Sequence, residues 1–266
     1  MIFFKKKNNF TLGDIEEALR LKTWWASAVI LPFARRISLF LANYTEISPN
    51  AVTFISFVMR ILSALLFFTG EYKYIVVAAF LFEFAYVLDC VDGCIARLKE
   101  KISTTGAFFD HVTDILGVTI NMLALAWGQK MLLTPVTFFI ITMYLFIHYL
   151  TFVANCIFLT EKFRIGKEKS ETVLEDNILH KDKGGIFFRI SKIIVNYRNI
   201  FARRHFKAFF SPPDFEALVC FIFPILGNVR LGFIVGSYFL ILLFVYKMLS
   251  YLYVIKVKSV TEGEFE

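Results

Sequence analysis

Four aspartates are spaced along a stretch of 26 residues in a chain that is otherwise rich in apolar side chains. They are Asp89, Asp92, Asp110 and Asp114. Sites built only from oxygen ligands select hard divalent ions such as Mg²⁺, Mn²⁺ and Ca²⁺. Mg²⁺ in particular is often held by one or two carboxylates together with the phosphates of a substrate. The stretch therefore indicates metal-assisted phosphate chemistry.

The composition places this cluster in a membrane protein. Of the 266 residues, 58% are hydrophobic and 18% are aromatic, and the mean hydropathy is +0.64. Soluble domains are about 45 to 50% apolar, whereas a helix that crosses a bilayer needs about 20 mostly apolar residues. Six runs are candidates, of which the fifth is the weakest because it is short and contains Pro224, and we predict an all-α membrane protein with six transmembrane helices. The predicted spans are residues 51–69, 74–96, 106–127, 134–159, 214–229 and 231–255.

Residues 14–43 have a different pattern. The segment Trp24 to Ala34 is apolar for only eleven residues before Arg35 and Arg36. This pattern favours an amphipathic helix at the membrane interface, with Trp24 and Trp25 at the depth of the headgroups. An additional, broken span is the alternative.

The distribution of Lys and Arg predicts the orientation. With the six spans as drawn, one side of the membrane receives 24 basic residues and the other side receives three. The positive-inside rule then places both termini and the active site on the cytoplasmic side. The predicted organisation is a cytoplasmic N-terminal segment (1–48), a membrane catalytic domain (49–255) that includes a cytoplasmic connection (160–212), and a cytoplasmic tail (256–266).

Helical spacing predicts that the four aspartates meet. Asp89 and Asp92 share one face of the second span, and Asp110 and Asp114 share one face of the third. A short polar turn at residues 99–105 joins the two spans, so the two faces can converge. An acid at the centre of a membrane helix costs about 2.5 to 3.5 kcal/mol, and divalent cations would offset this cost.

The same stretch resembles the signature of the CDP-alcohol phosphotransferase (CDP-alcohol phosphatidyltransferase) family, D-x2-D-G-x2-A-R-x8-G-x3-D-x3-D. The matching positions are Asp89, Asp92, Gly93, Ala96, Arg97, Gly106, Asp110 and Asp114. The segment Pro49-Asn50-Ala51-Val52-Thr53 also resembles the Pro-Asn-x-x-Thr sequence at which the first span of the family begins.

The resemblance implies an enzyme that cleaves the pyrophosphate of a CDP-alcohol, transfers the alcohol phosphate to an acceptor hydroxyl and releases CMP. It implies that Asp89, Asp92 and Asp110 are the main ligands of two Mg²⁺ or Mn²⁺ ions, with Asp114 assisting them or acting as the general base. The implied partners are a CDP-alcohol donor, an acceptor alcohol, the lipid bilayer and a second copy of the chain. The residues implied in the CDP pocket are Asn50, Gly93, Ala96, Arg97 and Gly106.

The sequence is compatible with several alternatives. The donor is expected to be CDP-diacylglycerol, but a soluble CDP-linked headgroup with a lipid or polyol acceptor is the other arrangement found in the family. An intramembrane prenyltransferase also uses aspartate pairs, although only 21 residues separate Asp89 from Asp110 and that family spaces its motifs further apart. A cation carrier or a scaffold would explain the acids but not Ala96, Arg97 and Gly106.

Two other features carry charge. Arg60 and Glu83 lie deep in predicted spans, and we expect them to form an internal ion pair, with a cavity-facing role of Arg60 as the alternative. The connection 160–212 has 12 basic and 6 acidic residues. Apolar residues recur at helical spacing in its second half, which favours a basic amphipathic helix on an anionic membrane surface, with packing against the bundle as the alternative. No nucleic-acid-binding motif accompanies the positive charge.

Overall fold

The structure is a computed structural model that describes residues 8–19, 23–166 and 211–262. All regular elements in these ranges are helical, which confirms the all-α prediction for this part of the chain. The elements are α1 (Leu12–Ala18), a π-helical turn (Ala26–Ile30) that continues into α2 (Leu31–Tyr44), α3 (Pro49–Phe68), α4 (Tyr72–Leu98), α5 (Thr104–Gly128), a 3₁₀ turn (Met131–Leu133), α6 (Pro135–Gly166), α7 (Pro212–Ala217), a second π-helical turn (Leu218–Ile222), α8 (Phe223–Ile225) and α9 (Val229–Glu262).

Five helical segments in the described ranges are long and apolar enough to cross a membrane. They are Ala26–Tyr44, Pro49–Phe68, Tyr72–Leu98, Thr104–Gly128 and Val229–Tyr246. A shorter apolar segment, Pro135–Leu150, belongs to α6. The predicted fifth span is divided among α7, the second π-helical turn and α8, so the count of six spans stays a prediction.

Side-chain caps determine where the helices around the aspartates begin. Ser48 Oγ accepts a hydrogen bond from the backbone N–H of Ala51 at the start of α3. Ser103 Oγ accepts one from the N–H of Gly106 at the start of α5. Each cap satisfies a backbone donor that has no partner within its own helix. The two caps therefore fix the starting points of the helices that carry Asn50 and Gly106.

Helix α3 is the element that positions the aspartate helices. It packs extensively against both α4 and α5, while α2 lies along α4 and α1 contacts α2 and α4. Helices α6 and α9 also pack against each other. They share one buried hydrophobic core with α3, α4 and α5, to which Tyr144 and Phe233 contribute rings that meet edge to face. Side chains of α3 can therefore reach residues on α4 and on α5.

The predicted ion pair between Arg60 and Glu83 is wrong. Glu83, which is only 7% exposed, accepts a hydrogen bond of 2.9 Å from Trp25 Nε1. Arg60 instead contacts Asp114 and Asp89. Helical spacing placed both charges inside the bundle, but it did not determine which neighbouring helix each one faces.

The connection is described only at its ends. Helix α6 continues to Gly166, and residue 211 precedes α7. The predicted amphipathic helix in the second half of the connection lies outside the described residues. The domain boundaries and the interfacial position of residues 14–43 also stay predictions.

Candidate active site

Three of the four aspartates form a compact carboxylate cluster. Asp89 comes from α4, and Asp110 and Asp114 come from α5. One carboxylate oxygen from each residue lies within 4.8 Å of the other two. The cluster offers only oxygen atoms, and such a set fits a hard divalent ion. We refer to Asp89, Asp110 and Asp114 as the aspartate cluster.

Asp92 lies outside this cluster. It sits one helical turn beyond Asp89 on α4, is 4% exposed, and its Oδ2 accepts a hydrogen bond of 2.6 Å from Thr53 Oγ1 on α3. The predicted convergence of four carboxylates is therefore observed for three of them. The role of Asp92 as a metal ligand stays a prediction.

The guanidinium of Arg60, on α3, contacts the aspartate cluster. Its Nη2 lies 2.8 Å from Asp114 Oδ1 and 3.6 Å from Asp89 Oδ1, and its Nη1 donates a hydrogen bond of 3.0 Å to the backbone carbonyl of Asp114. The side chain of Arg60 is only 5% exposed. A charge that is removed from water requires such compensation, which Asp114 supplies at short range.

Two residues of α5 accommodate Arg60. A Cβ atom added at Gly117 would overlap Cδ of Arg60, so the absence of a side chain at Gly117 leaves the path of the arginine open. Asn121, which is fully buried, donates from Nδ2 to the backbone carbonyls of Arg60 and Gly117 at 2.9 and 2.8 Å. These contacts fix the position of α5 along α3. No motif in the sequence indicates a role for Gly117 or Asn121, and their one signal is that a small and a polar residue occur within a predicted span.

The residues predicted for the CDP pocket separate into two groups. Asn50 Oδ1 lies 3.1 Å from the position that a Cβ of Gly106 would occupy, so the starts of α3 and α5 are adjacent. Gly93 lies beneath the guanidinium of Arg97, whose Nε donates a hydrogen bond to the backbone carbonyl of Ala18 at the end of α1.

The second group therefore connects α4 to the N-terminal segment. Ala96 lies one residue before Arg97 on α4 and is half-buried. The part that these five residues play in nucleotide binding stays a prediction.

Comparison with known proteins finds a family model that matches the region of the aspartates. Residues 46–174 match the family model described as CDP-alcohol phosphatidyltransferase. The match includes α3, α4 and α5 and all eight positions of the signature. The family model therefore confirms, for residues 46–174, the resemblance seen in the sequence.

One curated relative matches a shorter part of this chain, and two solved structures match most of the chain at low sequence identity. The bifunctional IPC transferase and DIPP synthase of Archaeoglobus fulgidus is 38% identical over 79 residues, which are 30% of this chain and 15% of that protein. The matched residues thus span a small part of that curated relative. Two crystal structures of the phosphatidylinositol phosphate synthase PgsA1 of Mycobacterium tuberculosis are 15% identical to this chain.

The two crystal structures differ in what they contain. One has CDP-DAG bound, with a TM-score of 0.48, and the alignment covers 83% of this chain and 92% of that chain. The other is in complex with manganese and citrate, with a TM-score of 0.46, and the alignment covers 83% and 87% of the two chains.

Proposed function

We propose that this protein transfers a substituted phosphate group from a CDP-alcohol to an acceptor alcohol and releases CMP, in a reaction that requires a divalent metal ion. The observation that carries the proposal is the aspartate cluster, in which three signature residues of the matched family bring carboxylate oxygens within 4.8 Å of one another. The signature spans 26 residues of the sequence, and folding brings three of its aspartates together.

The proposed metal ligands are Asp89, Asp92 and Asp110, with Asp114 beside them. Mg²⁺ or Mn²⁺, as two ions, fits their all-oxygen donor set. A bound divalent ion supplies positive charge to the pyrophosphate of the donor and to the departing CMP. The carboxylates contribute by fixing where the pyrophosphate is held.

Asp114 is the proposed general base. In this reaction the acceptor oxygen forms a bond to the phosphorus that carries the donor alcohol, and the bond between this phosphorus and the bridging oxygen of CMP breaks. The proton of the acceptor hydroxyl passes to a carboxylate oxygen of Asp114. In-line attack by a bound hydroxyl needs no covalent enzyme intermediate, so the residues act by orientation and proton transfer.

The proposed CDP pocket consists of Asn50, Gly93, Ala96, Arg97 and Gly106. Two of these residues are glycines, which allow a ligand to approach the backbone closely. The adjacency of Asn50 and Gly106 at the starts of α3 and α5 supports a pocket that both helices border.

The proposed setting is a six-span membrane protein with an interfacial N-terminal helix and a cytoplasmic active site. The five candidate membrane helices and the excess of Lys and Arg on one predicted side support this arrangement. We also propose that the protein forms a homodimer, as the family resemblance implies. CDP-diacylglycerol is the proposed donor, and a small polar alcohol is the proposed acceptor.

A donor and acceptor panel tests the proposal. Purified protein in detergent would be incubated with Mn²⁺ and either labelled CDP-diacylglycerol or a soluble CDP-linked headgroup, together with polyols, polyol phosphates or diacylglycerol as acceptors. The proposal expects CMP and a labelled lipid product from CDP-diacylglycerol. Product from the soluble donor alone would assign the other donor class. A parallel incubation contains a prenyl diphosphate as the donor, and release of pyrophosphate there, with no CMP from any CDP-alcohol, would identify a prenyltransferase instead.

A further inference from the structure

Arg60 is a buried cation in direct contact with two carboxylates of the aspartate cluster. The distances are 2.8 Å to Asp114 and 3.6 Å to Asp89. The side-chain exposures differ, since Arg60 is 5% exposed, Asp89 16% and Asp114 36%. The guanidinium therefore approaches the cluster from the protein interior, while the carboxylates retain an open side.

The contact geometry of Arg60 is directional. One guanidinium nitrogen faces the carboxylate of Asp114, and the other donates to the backbone carbonyl of the same residue. A planar guanidinium can make both contacts at once, whereas the ammonium of a lysine acts as a point charge. Arg60 thus holds the orientation of the Asp114 side chain relative to α5.

The surroundings of Arg60 are adapted to this position. Gly117 leaves room for the arginine side chain, and Asn121 binds the backbone carbonyls of Arg60 and Gly117. A substitution at Gly117 would therefore displace the guanidinium of Arg60 without replacing any charged residue of the site.

We propose that Arg60 is a positioning residue that acts as a built-in counter-cation: it orients Asp114 for the reaction and competes with the metal ion for the carboxylates of the cluster. This inference rests on the proposed function for the part that concerns turnover. In the absence of metal, Arg60 compensates carboxylates that would otherwise repel one another. When metal is bound, the positive charge of Arg60 would weaken the binding of the ion. The contacts of Arg60 with Asp114 would keep this carboxylate oriented for proton transfer.

The proposal predicts opposite changes in metal binding and turnover. Arg60→Met removes a positive charge close to the metal ligands, so the dissociation constant for Mn²⁺ is expected to fall by about tenfold or more, as Coulomb's law requires for charges a few ångströms apart. The maximal rate of CMP release at saturating Mn²⁺ is expected to fall, because Asp114 loses its orientation. Arg60→Lys retains the charge, and we expect it to keep the Mn²⁺ affinity of the wild type and to restore part of the rate.

Gly117→Ala provides an independent perturbation. The added methyl group would overlap Cδ of Arg60, so this variant is expected to change Mn²⁺ affinity and rate in the same directions as Arg60→Met, by smaller factors. Gly232→Ala is the matched control, because its Cβ would lie 2.8 Å from Cβ of Phe223 and would crowd a helix contact that involves no residue of the cluster. This control should leave both quantities unchanged.

The experiment is direct titration of detergent-solubilised protein with Mn²⁺, followed by electron paramagnetic resonance of the free ion, with CMP release measured in parallel. Binding is read without turnover, so failure of the proposed function and failure of the Arg60 proposal can be separated. If the wild type binds Mn²⁺ but releases no CMP from any CDP-alcohol, the proposed function fails while tighter binding by Arg60→Met still supports a counter-cation.

Three results would overturn the Arg60 proposal. The first is unchanged or weaker Mn²⁺ binding in Arg60→Met, accompanied only by a lower thermal unfolding temperature, which would indicate a purely structural bridge. The second is a wild-type protein that binds no Mn²⁺. The third result applies if Arg60→Met does not fold, so that Arg60→Lys and Gly117→Ala become the test. Wild-type Mn²⁺ affinity together with a wild-type rate of CMP release in both of these variants would then overturn the proposal.

Discussion

Thr53 Oγ1 donates a hydrogen bond of 2.6 Å to Asp92 Oδ2 and thereby connects α3 to α4 beside the aspartate cluster. Thr53 is 6% exposed and Asp92 is 4% exposed. A buried carboxylate that loses its donor retains the cost of desolvation without compensation. The hydroxyl of Thr53 therefore stabilises the one signature aspartate that stands apart from the cluster.

Replacement of Thr53 by valine keeps the shape of the side chain and removes this donor. We expect Thr53→Val to lower the free energy of unfolding by about 1 to 3 kcal/mol, the usual cost of leaving a buried acceptor without its partner. The measurement is unfolding by SDS titration in mixed micelles. Ser63→Ala is the matched control, because it removes a 2.8 Å hydrogen bond between Ser63 on α3 and the neutral carbonyl of Ala78 on α4. Equal losses in the two variants would contradict a specific role of Thr53 at Asp92.

The indole of Trp25 and the carboxylate of Glu83 form a second polar contact inside the bundle, at 2.9 Å. Trp25→Phe retains an aromatic ring but removes the donor, so we expect it to reduce stability by about 1 to 3 kcal/mol. Glu83→Leu should cost less in the Trp25→Phe background than in the wild type, with a coupling of at least about 0.5 kcal/mol in a double-mutant cycle. Trp127→Phe, at an exposed ring stacked on Phe68, is the control. Strict additivity of the two substitutions would show that the contact contributes nothing.

Nucleotide and metal should stabilise the protein together. We expect CMP or a CDP-alcohol to raise the thermal unfolding temperature only when Mn²⁺ or Mg²⁺ is present, because the pyrophosphate or phosphate completes the coordination of the ion and a ligand that binds the folded state stabilises it. The measurement compares unfolding with nucleotide alone, with metal alone and with both. The same stabilisation by nucleotide in the presence of a chelator would indicate a pocket that does not depend on the aspartates.

Substitution of Asp114 should impair turnover rather than metal binding, unlike substitution of the other aspartates. If it is the general base, Asp114→Asn binds Mn²⁺ and the CDP-alcohol with little change but loses turnover by about 10²- to 10⁴-fold, the usual contribution of general-base catalysis. Mn²⁺ titration and CMP release on the same preparation measure both quantities. Loss of Mn²⁺ binding in this variant would make Asp114 a primary ligand, and the proton would then leave through another group.

Much of the site could be predicted because helical periodicity depends only on local spacing. Asp89 and Asp92 are three residues apart and Asp110 and Asp114 four, so the spacing alone predicts that each pair shares one helical face. The short turn after α4 then brings the second pair back towards the first.

The partners of these charges could not be predicted in the same way. Whether Arg60 faces Glu83 or Asp114 depends on the position of α3 along α5, and that position is fixed by the contacts of Gly117 and Asn121. The separation of Asp92 from the cluster likewise depends on the hydroxyl of Thr53, which lies on a different helix. Such relations arise from packing between helices that are distant in sequence.

The most direct test of the proposed function is CMP release from CDP-diacylglycerol as a function of Mn²⁺ concentration, in the wild type, in Asp89→Asn and in Asp14→Asn. Asp14 is exposed, and its carboxylate accepts a hydrogen bond from the backbone N–H of Thr11 at the start of α1, so its substitution serves as the matched control that changes an aspartate away from the cluster. We predict release that depends on Mn²⁺ and on an acceptor alcohol in the wild type and in Asp14→Asn, and none in Asp89→Asn although the protein still inserts and folds. Full activity in Asp89→Asn with unchanged metal dependence would contradict the assignment of the cluster as the metal site of a CDP-alcohol phosphotransferase.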